Sequence, residues 1–407
     1  MTAVAMLAMT ASVRAETGWT QWRGPGRDGI AAGPTWPDSL DEKHLRLRWQ
    51  VPLAPGYSGP IAADGRVFTT ETADEKYEAV TAFDSDTGRK LWRTQWEGAM
   101  SVPFFAKSNG DWIRSTPAYA EGRLYVAGMR DVLVCLEAAD GVQVWRMDFM
   151  AALGTPLPSF GFVCSPLVDG DAVYTQAGAS VVRLHKADGR VVWRSMADAG
   201  GMMDSAFSSP VLADLAGVRQ LVVQTREELA GLDPTDGSVL WRQPVKSFRG
   251  MNITTPVVFG DLVITSSYGG RTYGWRVSHD SGGYRVETAW EHKAQGYMST
   301  PVVIGDYAYH HLRSQRVMCL DLRTGAEQWT SPRSFGKYWS LVAQGNRVLA
   351  LDQQGELFLL DATPAAFSLR DSRRVSESDT WAHLAVADSR LFVRALDALQ
   401  AWEWQAD

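Results

Sequence analysis

Five arginines and one tryptophan lie in segments that the sequence predicts as loops around one opening of the molecule. Guanidinium groups bind carboxylates through paired charge-assisted hydrogen bonds, so several of them around one opening predict affinity for a polycarboxylate. The alternative, which we favour, is a solvated rim in which acidic residues such as Asp131 and Glu227 are interspersed. The candidate binding residues are Arg114, Arg130, Arg226, Arg271, Arg313 and Trp381.

Other residues that could carry chemistry form no recognisable catalytic or metal-binding set. His310 and His311 are adjacent in a predicted strand, where successive side chains point to opposite faces, which argues against a shared metal ion. The stretch RGPGRDG at residues 23–29 lacks the lysine and hydroxyl residue of a phosphate-binding loop. Cys164 takes the place of a small serine in other repeats, which indicates a core residue, with a thiol facing the opening as the alternative. We therefore predict no metal site and assign no catalytic residue.

The elements that position these residues come from an eleven-residue phrase that recurs along the chain. Each copy turns on glycine and ends in tryptophan, and a spacing of about 40 to 50 residues is typical of repeat architectures. The copies are AFDSDTGRKLW (82–92), CLEAADGVQVW (135–145), RLHKADGRVVW (183–193), GLDPTDGSVLW (231–241) and CLDLRTGAEQW (319–329). Because an indole removes about 150 to 250 Å² from water, we interpret the recurring tryptophans as packing residues between neighbouring sheets. They are Trp92, Trp145, Trp193, Trp241, Trp290 and Trp329.

A second unit precedes each phrase and consists of a small hydroxyl residue, a proline, an apolar run and a tight turn. Four short strands in each repeat predict an all-β fold, an eight-bladed β-propeller of four-stranded antiparallel blades. The eighth blade runs out of chain after three strands, whereas residues 45–51, LRLRWQV, place Trp49 in the tryptophan position. We predict that this N-terminal strand completes the last blade and closes the ring. First strands are predicted near Pro60, Pro117, Pro166, Pro210, Pro256, Pro301, Leu341 and Leu384.

Three residues before each first strand, the chain is expected to reach the mouth of the central channel. These positions are mostly aromatic or aliphatic, and Arg114 is the one charged member. They predict either an apolar floor for a ligand or a hydrophobic plug of the channel, and we favour the plug. The positions are Tyr57, Arg114, Val163, Phe207, Ile253, Met298, Tyr338 and Trp381.

Two of the loops that lead into blades, residues 94–113 and 148–163, are longer than ordinary connections. Such loops with apolar residues of their own are typical of lids, binding loops or partner surfaces. A cap that packs over blades two to four is the alternative, and the sequence leaves both open. The apolar residues are Trp96, Met100, Phe104, Phe105, Trp112, Phe149, Met150, Phe160 and Phe162, with Met202 and Met203 in the next such loop.

The charge of the chain and its N-terminal segment indicate where the protein is located and which classes of partner it can bind. The net charge is −6 and neither sign is gathered into a block, so we predict no nucleic-acid partner. Residues 1–15 are a short apolar run that fits a signal peptide, with a frayed apolar terminus as the alternative, and the run is too short to span a bilayer. No cysteine precedes Cys135, which predicts no N-terminal lipid anchor. We expect a periplasmic or secreted protein in which residues 16–44 pack on a single propeller of residues 45–407.

The phrase AFDSDTGRKLW resembles the tryptophan-docking motif of quinoproteins, and the chain from Trp19 onward resembles the PQQ-binding-like β-propeller repeat family. The segments WTQWRGPGRDGI (19–30) and FGFVCSPLVDGDAVY (160–174) are similar to exported members of this family. The resemblance implies either a quinoprotein dehydrogenase that holds PQQ with Ca²⁺ over the channel, or a cofactor-free periplasmic lipoprotein that assists outer-membrane assembly. The adjacent cysteines of many quinoprotein alcohol dehydrogenases are missing here, and so is the lipoprotein's anchoring cysteine.

These observations favour an exported, non-catalytic binding or scaffold module that engages a protein or polymer through its channel mouth and long loops. Such a module requires no cofactor. The alternative is a quinoprotein-type oxidoreductase, a PQQ-dependent dehydrogenase with PQQ and Ca²⁺ at the channel mouth. An enzyme of that kind requires a polar, cation-lined cavity with a catalytic base, whereas a scaffold requires only a large exposed apolar patch.

Overall fold

The computed structural model describes residues 18–198 and 205–405, and these form an eight-bladed β-propeller. Each blade is a four-stranded antiparallel sheet, whose strands we call A, B, C and D from the axis outward. The predicted fold class is confirmed. The predicted signal segment, residues 1–15, lies outside the described residues. Among the described residues, no helix has the length and apolar character needed to cross a membrane.

Blades 1 to 4 follow the chain order from strand A to strand D. Blade 1 contains β2 (Ile61–Ala63), β3 (Arg66–Ala73), β4 (Tyr77–Asp84) and β5 (Lys90–Glu97). Blade 2 contains β6 (Ala118–Ala120), β7 (Arg123–Gly128), β8 (Val132–Glu137) and β9 (Gln143–Asp148). Blade 3 contains β10 (Leu167–Asp169), β11 (Ala172–Ala177), β12 (Ser180–His185) and β13 (Val191–Ser195). Blade 4 contains β14 (Val211–Leu215), β15 (Val218–Gln224), β16 (Glu228–Leu232) and β17 (Val239–Pro244).

Blades 5 to 7 repeat this order, and blade 8 takes its outer strand from the start of the chain. Blade 5 contains β18 (Val257–Phe259), β19 (Leu262–Ser266), β20 (Thr272–Asp280) and β21 (Gly283–His292). Blade 6 contains β22 (Val302–Ile304), β23 (Tyr307–His311), β24 (Val317–Asp321) and β25 (Glu327–Thr330). Blade 7 contains β26 (Trp339–Gln344), β27 (Arg347–Asp352), β28 (Glu356–Asp361) and β29 (Ser368–Arg374). Blade 8 contains β30 (Ala385–Ala387), β31 (Arg390–Arg394), β32 (Ala398–Trp404) and β1 (Leu45–Pro52).

The loops from strand D of one blade to strand A of the next, the D–A loops, carry the short helices. A 3₁₀ helix spans Phe104–Asn109 and another spans Phe248–Gly250. The helix α1 spans Phe149–Leu153. Asp148 is its N-cap residue, and the Asp148 side chain accepts a hydrogen bond from the backbone of Ala151. These loops lie together on one side of the ring, which we call the D–A face.

The eleven-residue phrase forms the turn from strand C to strand D, and its residue types follow from that turn. In blade 1 the Asp84 carboxylate accepts hydrogen bonds from the backbone of Asp86 at 3.1 Å and of Thr87 at 2.9 Å. Gly88 then adopts a φ of 70°, which a residue with a side chain rarely takes. The strand that follows carries Trp92.

The tryptophan that ends the phrase packs on the glycine turn of the next blade. The Trp92 indole nitrogen donates to the Ala138 carbonyl at 3.0 Å, and a Cβ atom at Gly141 would lie 2.5 Å from the ring, so only glycine fits there. The contact joins neighbouring blades through a half-buried aromatic side chain and one hydrogen bond. The equivalent donations are Trp145 to Lys186, Trp193 to Pro234, Trp290 to Leu322 and Trp329 to Thr363.

Blade 5 lacks the phrase, and the tryptophan that faces it has a different partner. Strands β20 and β21 are joined by a tight hairpin turn at residues 281–282, so blade 5 offers no equivalent glycine turn to Trp241 of blade 4. The Trp241 indole nitrogen instead donates to the Gln220 side chain at 2.6 Å. Both residues are buried, and Gln220 also donates to the Leu215 carbonyl at 2.8 Å, which fixes its orientation.

The N-terminal strand closes the ring. Strand β1 pairs antiparallel with β32, from Leu45 opposite Trp404 to Pro52 opposite Ala398. Trp49 lies on this strand and donates from its indole to the Ser85 carbonyl of blade 1 at 3.0 Å. The predicted closure is therefore confirmed, and Trp49 makes the same contact between blades 8 and 1 that the phrase tryptophans make elsewhere.

Candidate functional site

A cavity of about 510 Å³ lies on the axis of the propeller, and we call it the axial cavity. All eight residues expected at the channel mouth line it: seven lie four residues before strand A of their blades, and Tyr338 directly precedes strand A of blade 7. The aromatic members contact one another: the Tyr57 and Trp381 rings are 6.0 Å apart, and the Trp381 and Tyr338 rings are 6.1 Å apart. The expected plug is wrong in this respect, because these side chains leave a cavity of ligand size between them.

Below this ring, the hydroxyl residues before the strand-A prolines link the blades around the axis. The Thr116 hydroxyl accepts from the backbone of Gly59 at 3.0 Å, and the Thr116 backbone donates to the Ser165 hydroxyl at 3.0 Å. Ser165 donates in turn to Ser209 at 2.9 Å, and Ser209 donates to Thr255 at 3.1 Å. The chain of bonds continues from Thr255 to Thr300. The repeated hydroxyl residue is thus explained as an acceptor for the neighbouring blade, and these side chains form the lower wall of the cavity.

The N-terminal segment crosses the axis and closes the cavity on the side away from the D–A face. The Gln21 side chain accepts from the backbone of Val168 in blade 3 at 3.0 Å, and Ala31 donates to the Ala343 carbonyl of blade 7 on the opposite side of the ring. Between these two points, Trp22 lines the cavity as its floor. The sequence pattern gave no signal for this placement, since the segment has no strand periodicity.

Two buried arginines hold this segment across the channel. Arg23 donates to the Pro301 carbonyl at 2.5 Å, and Arg27 donates to the carbonyls of Pro166 at 2.8 Å and Ser165 at 3.0 Å. Both guanidinium groups also lie over the Trp22 indole, at 5.5 and 5.6 Å from its ring centre. Burial lowers the pKa of Arg23 to about 10 and that of Arg27 to about 9, so both stay protonated at neutral pH.

The charged side chains that line the axial cavity are all cations among the described residues: Arg114, Arg313 and Lys337. Arg313 lies 4.7 Å from the Tyr268 ring centre and, like Lys337, is exposed at the rim. The fourth titratable base is His383, whose pKa burial and the nearby Arg23 charge lower to about 3. It is therefore neutral at physiological pH.

Arg114 lies deeper than the rim cations. Its guanidinium donates to the Gly110 carbonyl at 2.7 Å and lies 5.5 Å from the Tyr57 ring centre. Its Nε atom is buried without a hydrogen-bond partner, and within the described ranges Arg114 forms no ion pair. Burial lowers its pKa, while the Asp111 charge acts in the opposite direction. Arg114 is thus a desolvated cation without a direct counterion in the described part of the chain.

The structure brings together only some of the candidate binding residues. Arg114, Arg313 and Trp381 line the axial cavity, whereas Arg130 and Arg271 are exposed and do not.

Arg226 lies between blades 3 and 4, away from the axis. It forms an ion pair with Asp198 at 2.5 Å and borders a small pocket that Asp131 and Gln176 share. The cavity residues that sequence reasoning missed include Trp22, Tyr268, Tyr297 and Lys337. Of these, Lys337 could have been found, because it precedes the predicted ring residue Tyr338.

The long D–A loops divide into a buried part and an exposed part. Phe149, Phe160 and Phe162 are buried against blades 2 and 3, as a cap would be. Phe104 is 87% exposed and Phe105 is 49% exposed, so the first loop presents aromatic surface to solvent. Met202 and Met203 lie outside the described residues.

The remaining candidates are buried within the blades. The Cys164 thiol contacts the Thr175 hydroxyl at 3.1 Å, and burial raises its pKa to about 11, so it is a core residue and does not face the cavity. Cys135 and Cys319 are also buried and unpaired. His310 and His311 are buried neighbours whose pKa values burial lowers to about 4 and about 3.

The axial cavity does not fit the PQQ and Ca²⁺ arrangement that the family resemblance implies. Calcium ions prefer several carboxylate and carbonyl oxygens. Among the described residues, no aspartate, glutamate or asparagine lines the cavity, and no group of three or more metal-binding side chains occurs elsewhere. The cations would suit the carboxylates of PQQ, but the described lining supplies neither a calcium site nor a carboxylate base.

Comparison with known sequences gives consistent matches. A family model described as outer membrane protein assembly factor BamB matches residues 39–104 and 76–331. BamB of Yersinia pestis is 24% identical over 265 residues, which cover 60% of this chain and 62% of that protein. BamB of Escherichia coli K12 is 27% identical over 259 residues, with 60% and 62% covered. The chain thus spans less than two thirds of the length of these relatives.

Solved structures show a similar fold. The crystal structure of BamB from Moraxella catarrhalis superposes with a TM-score of 0.62 at 15% identity, covering 89% of this chain and 98% of that one. A europium-containing methanol dehydrogenase gives a TM-score of 0.54 at 12% identity, covering 95% and 98%. At such identities the likeness concerns the fold alone. The family model, however, spans more than half of the chain and includes all five copies of the repeated phrase, so this protein belongs to the outer membrane protein assembly factor BamB family.

Proposed function

We propose that this protein is an exported, non-catalytic binding module that engages another protein through its D–A face. The observation that carries the proposal is the exposed pair Phe104 and Phe105 on the long loop of blade 2. Their rings are 5.6 Å apart, and Phe105 continues through Phe160 to Phe207 at the wall of the axial cavity. Large exposed aromatic side chains of this kind are typical of protein interaction sites.

A second aromatic row supports the same face. Phe248, which is 46% exposed, lies 5.3 Å from Tyr268, and Tyr268 lies 5.0 Å from Tyr297 in the cavity wall. The first row extends outward from the cavity along the D–A loops that lead into blades 2 to 4. The second row lies on the D–A loops that lead into blades 5 and 6 and on the B–C loop of blade 5. A partner that covers this face would contact both rows and the cavity between them.

The family relatives are named for outer membrane protein assembly, and we infer that the partner of this protein belongs to the same process. This requires export, for which residues 1–15 are the proposed signal, and a location in the periplasm. Residues 16–44 and 45–407 would act as one body, since the N-terminal segment forms the floor of the cavity.

Photo-crosslinking in cells of the source organism tests the proposal. A photoreactive phenylalanine analogue at position 104 is expected to crosslink to a component of outer-membrane protein assembly. The same analogue at Glu121, in the exposed A–B turn of blade 2 on the other side of the ring, is the matched control. Equal crosslinking at both positions, or none at 104, would contradict a role for the D–A face.

The alternative, a PQQ-dependent oxidoreductase, keeps one supporting observation, the cations in the axial cavity. Titration of the purified protein with PQQ and Ca²⁺, followed by dye reduction with alcohols and sugars, tests it directly. Saturable binding with turnover would replace the binding-module proposal with the enzyme.

A further inference from the structure

The axial cavity is positively charged, and the proposed function does not say what this charge would bind. The protein as a whole carries a net charge of −6, yet the described cavity lining contains three cations and no carboxylate. Arg23 and Arg27 add two buried guanidinium groups beneath the floor. The charge of Arg23 reaches the cavity wall, because it contributes to the low pKa of His383. The axis is thus a local positive region in an acidic protein, which attracts anions.

The lining also selects for an apolar group. Tyr57 and Trp381, whose rings are 6.0 Å apart, line the side of the cavity where Arg114 lies, and Trp112 supports the Tyr57 ring at 5.1 Å. Burial raises the pKa of Tyr57 to about 12, which keeps its hydroxyl neutral at physiological pH. A ligand that places its apolar part on these rings would bring an attached carboxylate to Arg114.

Arg114 is the one cation of the lining that lies below the rim, so the cavity offers a place for one carboxylate beneath the opening. Arg313 and Lys337 are exposed at the rim, where water screens them, whereas Arg114 is desolvated and forms no ion pair within the described ranges. A carboxylate beside a desolvated guanidinium gains charge-assisted hydrogen bonds at little further desolvation cost to the arginine. The rim cations then steer the anion toward the opening.

The closed floor decides what kind of chain can enter. Since Trp22 and the segment that carries it block the far side, an extended segment from the middle of a chain would have to enter and leave through one opening. A chain end meets no such constraint, and the cationic lining repels an amino terminus. We propose that the axial cavity binds the carboxyl terminus of a partner polypeptide whose last residue is aromatic or large and aliphatic. This rests on the proposed function, since it specifies what the partner presents to the D–A face.

Binding of short peptides to the purified protein tests the inference, with tryptophan fluorescence and calorimetry as readouts. The probe is acetyl-Gly-Gly-Phe with a free carboxylate, and its carboxyl-terminal amide is the matched control. The amide is expected to bind about ten- to a hundredfold more weakly, because it loses a charge-assisted hydrogen bond to the half-buried Arg114. Equal affinity for acid and amide would overturn the inference.

Variants of the protein place the interaction at Arg114. Arg114→Met is expected to weaken binding of the free acid by the same factor without changing that of the amide, and Arg114→Lys should restore part of the loss. Arg271→Met, at an exposed position outside the cavity, is the matched control and should bind as the wild type does. Retained affinity in Arg114→Met, with a melting curve like the wild type, would overturn the inference.

The free amino acid derivative N-acetyl-phenylalanine distinguishes a chain end from a small molecule. Binding of the derivative as tight as that of the peptide would replace the chain end with a small aromatic acid as ligand. The crosslinking at position 104 is independent of all these titrations. Failure of the peptides alongside successful crosslinking would therefore remove the inference and leave the proposed function in place.

Discussion

Replacement of Trp49 by alanine should destabilise the entire propeller, because this side chain joins the two ends of the ring. Trp49 is 9% exposed, its indole donates to the Ser85 carbonyl at 3.0 Å, and its ring lies 6.1 Å from that of Phe392. A Cβ atom at Gly88 would lie 2.7 Å from the indole, so the turn is shaped around it.

The expected cost follows from these contacts. Truncation of a buried tryptophan to alanine costs about 3 to 5 kcal/mol, including the lost hydrogen bond. For 407 residues that unfold together, an unfolding entropy of about 2.1 cal/mol/K per residue gives about 0.8 kcal/mol/K. The variant should therefore melt about 4 to 6 °C below the wild type. Trp49→Phe keeps most of the ring contact and loses the hydrogen bond, so about 1 to 2 °C is expected.

Differential scanning calorimetry at neutral pH measures these shifts. Leu47→Ala on the same strand is the control, because Leu47 is 45% exposed and its loss should move the melting temperature by less than about 1 °C. A melting temperature for Trp49→Ala within 1 °C of the wild type would refute the claim that ring closure stabilises the other blades. A separate early transition with an unchanged main peak would refute it as well, since blade 8 would then unfold alone.

Three further outcomes are expected. Burial raises the pKa of Glu78 from 4.5 to about 7, so the folded state holds this proton more tightly than the unfolded chain does. About 3 kcal/mol of stability is present below pH 4.5 and should be lost as the pH rises from about 4.5 through 7, and urea unfolding of Glu78→Gln should lack this dependence. Ser209→Ala removes the acceptor for the Ser165 backbone and should lower unfolding stability by about 1 to 3 kcal/mol in urea titrations, whereas an unchanged midpoint would contradict the role of the hydroxyl ring. The three cysteines are buried and should react with a thiol reagent only after unfolding, so fast labelling of the native protein would contradict their core positions.

The fold could be predicted because the residues that make the contacts between blades recur in one short sequence pattern. The phrase from Asp84 to Trp92 specifies a turn through the aspartate and glycine and then places the tryptophan on the next strand. A fixed offset between turn and indole repeats the same contact in successive blades, so the number of blades could be counted. Even the ring closure had a local signal, the tryptophan of strand β1.

The residues of the site could be predicted only where they lie at a fixed distance from a recognisable repeat element, the proline before strand A. Tyr57, Arg114 and five counterparts line the cavity because each lies four residues before strand A, and Tyr338 lines it from directly before strand A of blade 7. The arginines of the B–C loops were harder to place, since these loops differ in length and each side chain finds its own partner, as Arg226 finds Asp198. The contacts of Trp22 join residues more than a hundred positions apart, and no periodicity indicates them.

The N-terminal segment accounts for the positive electrostatic potential along the axis of the propeller. The residues at the start of strand A direct some backbone carbonyls toward the channel, where no neighbouring strand can pair with them, and partial negative charges would repel an anion. Arg23 and Arg27 donate to such carbonyls, at Pro301 and at Ser165 and Pro166, and so replace negative dipoles with two full positive charges. Their burial without carboxylate partners in the described ranges is costly unless those carbonyls and the Trp22 ring compensate it. The segment that closes the channel therefore also sets the sign of the potential above it, which makes the cavity suited to a carboxylate.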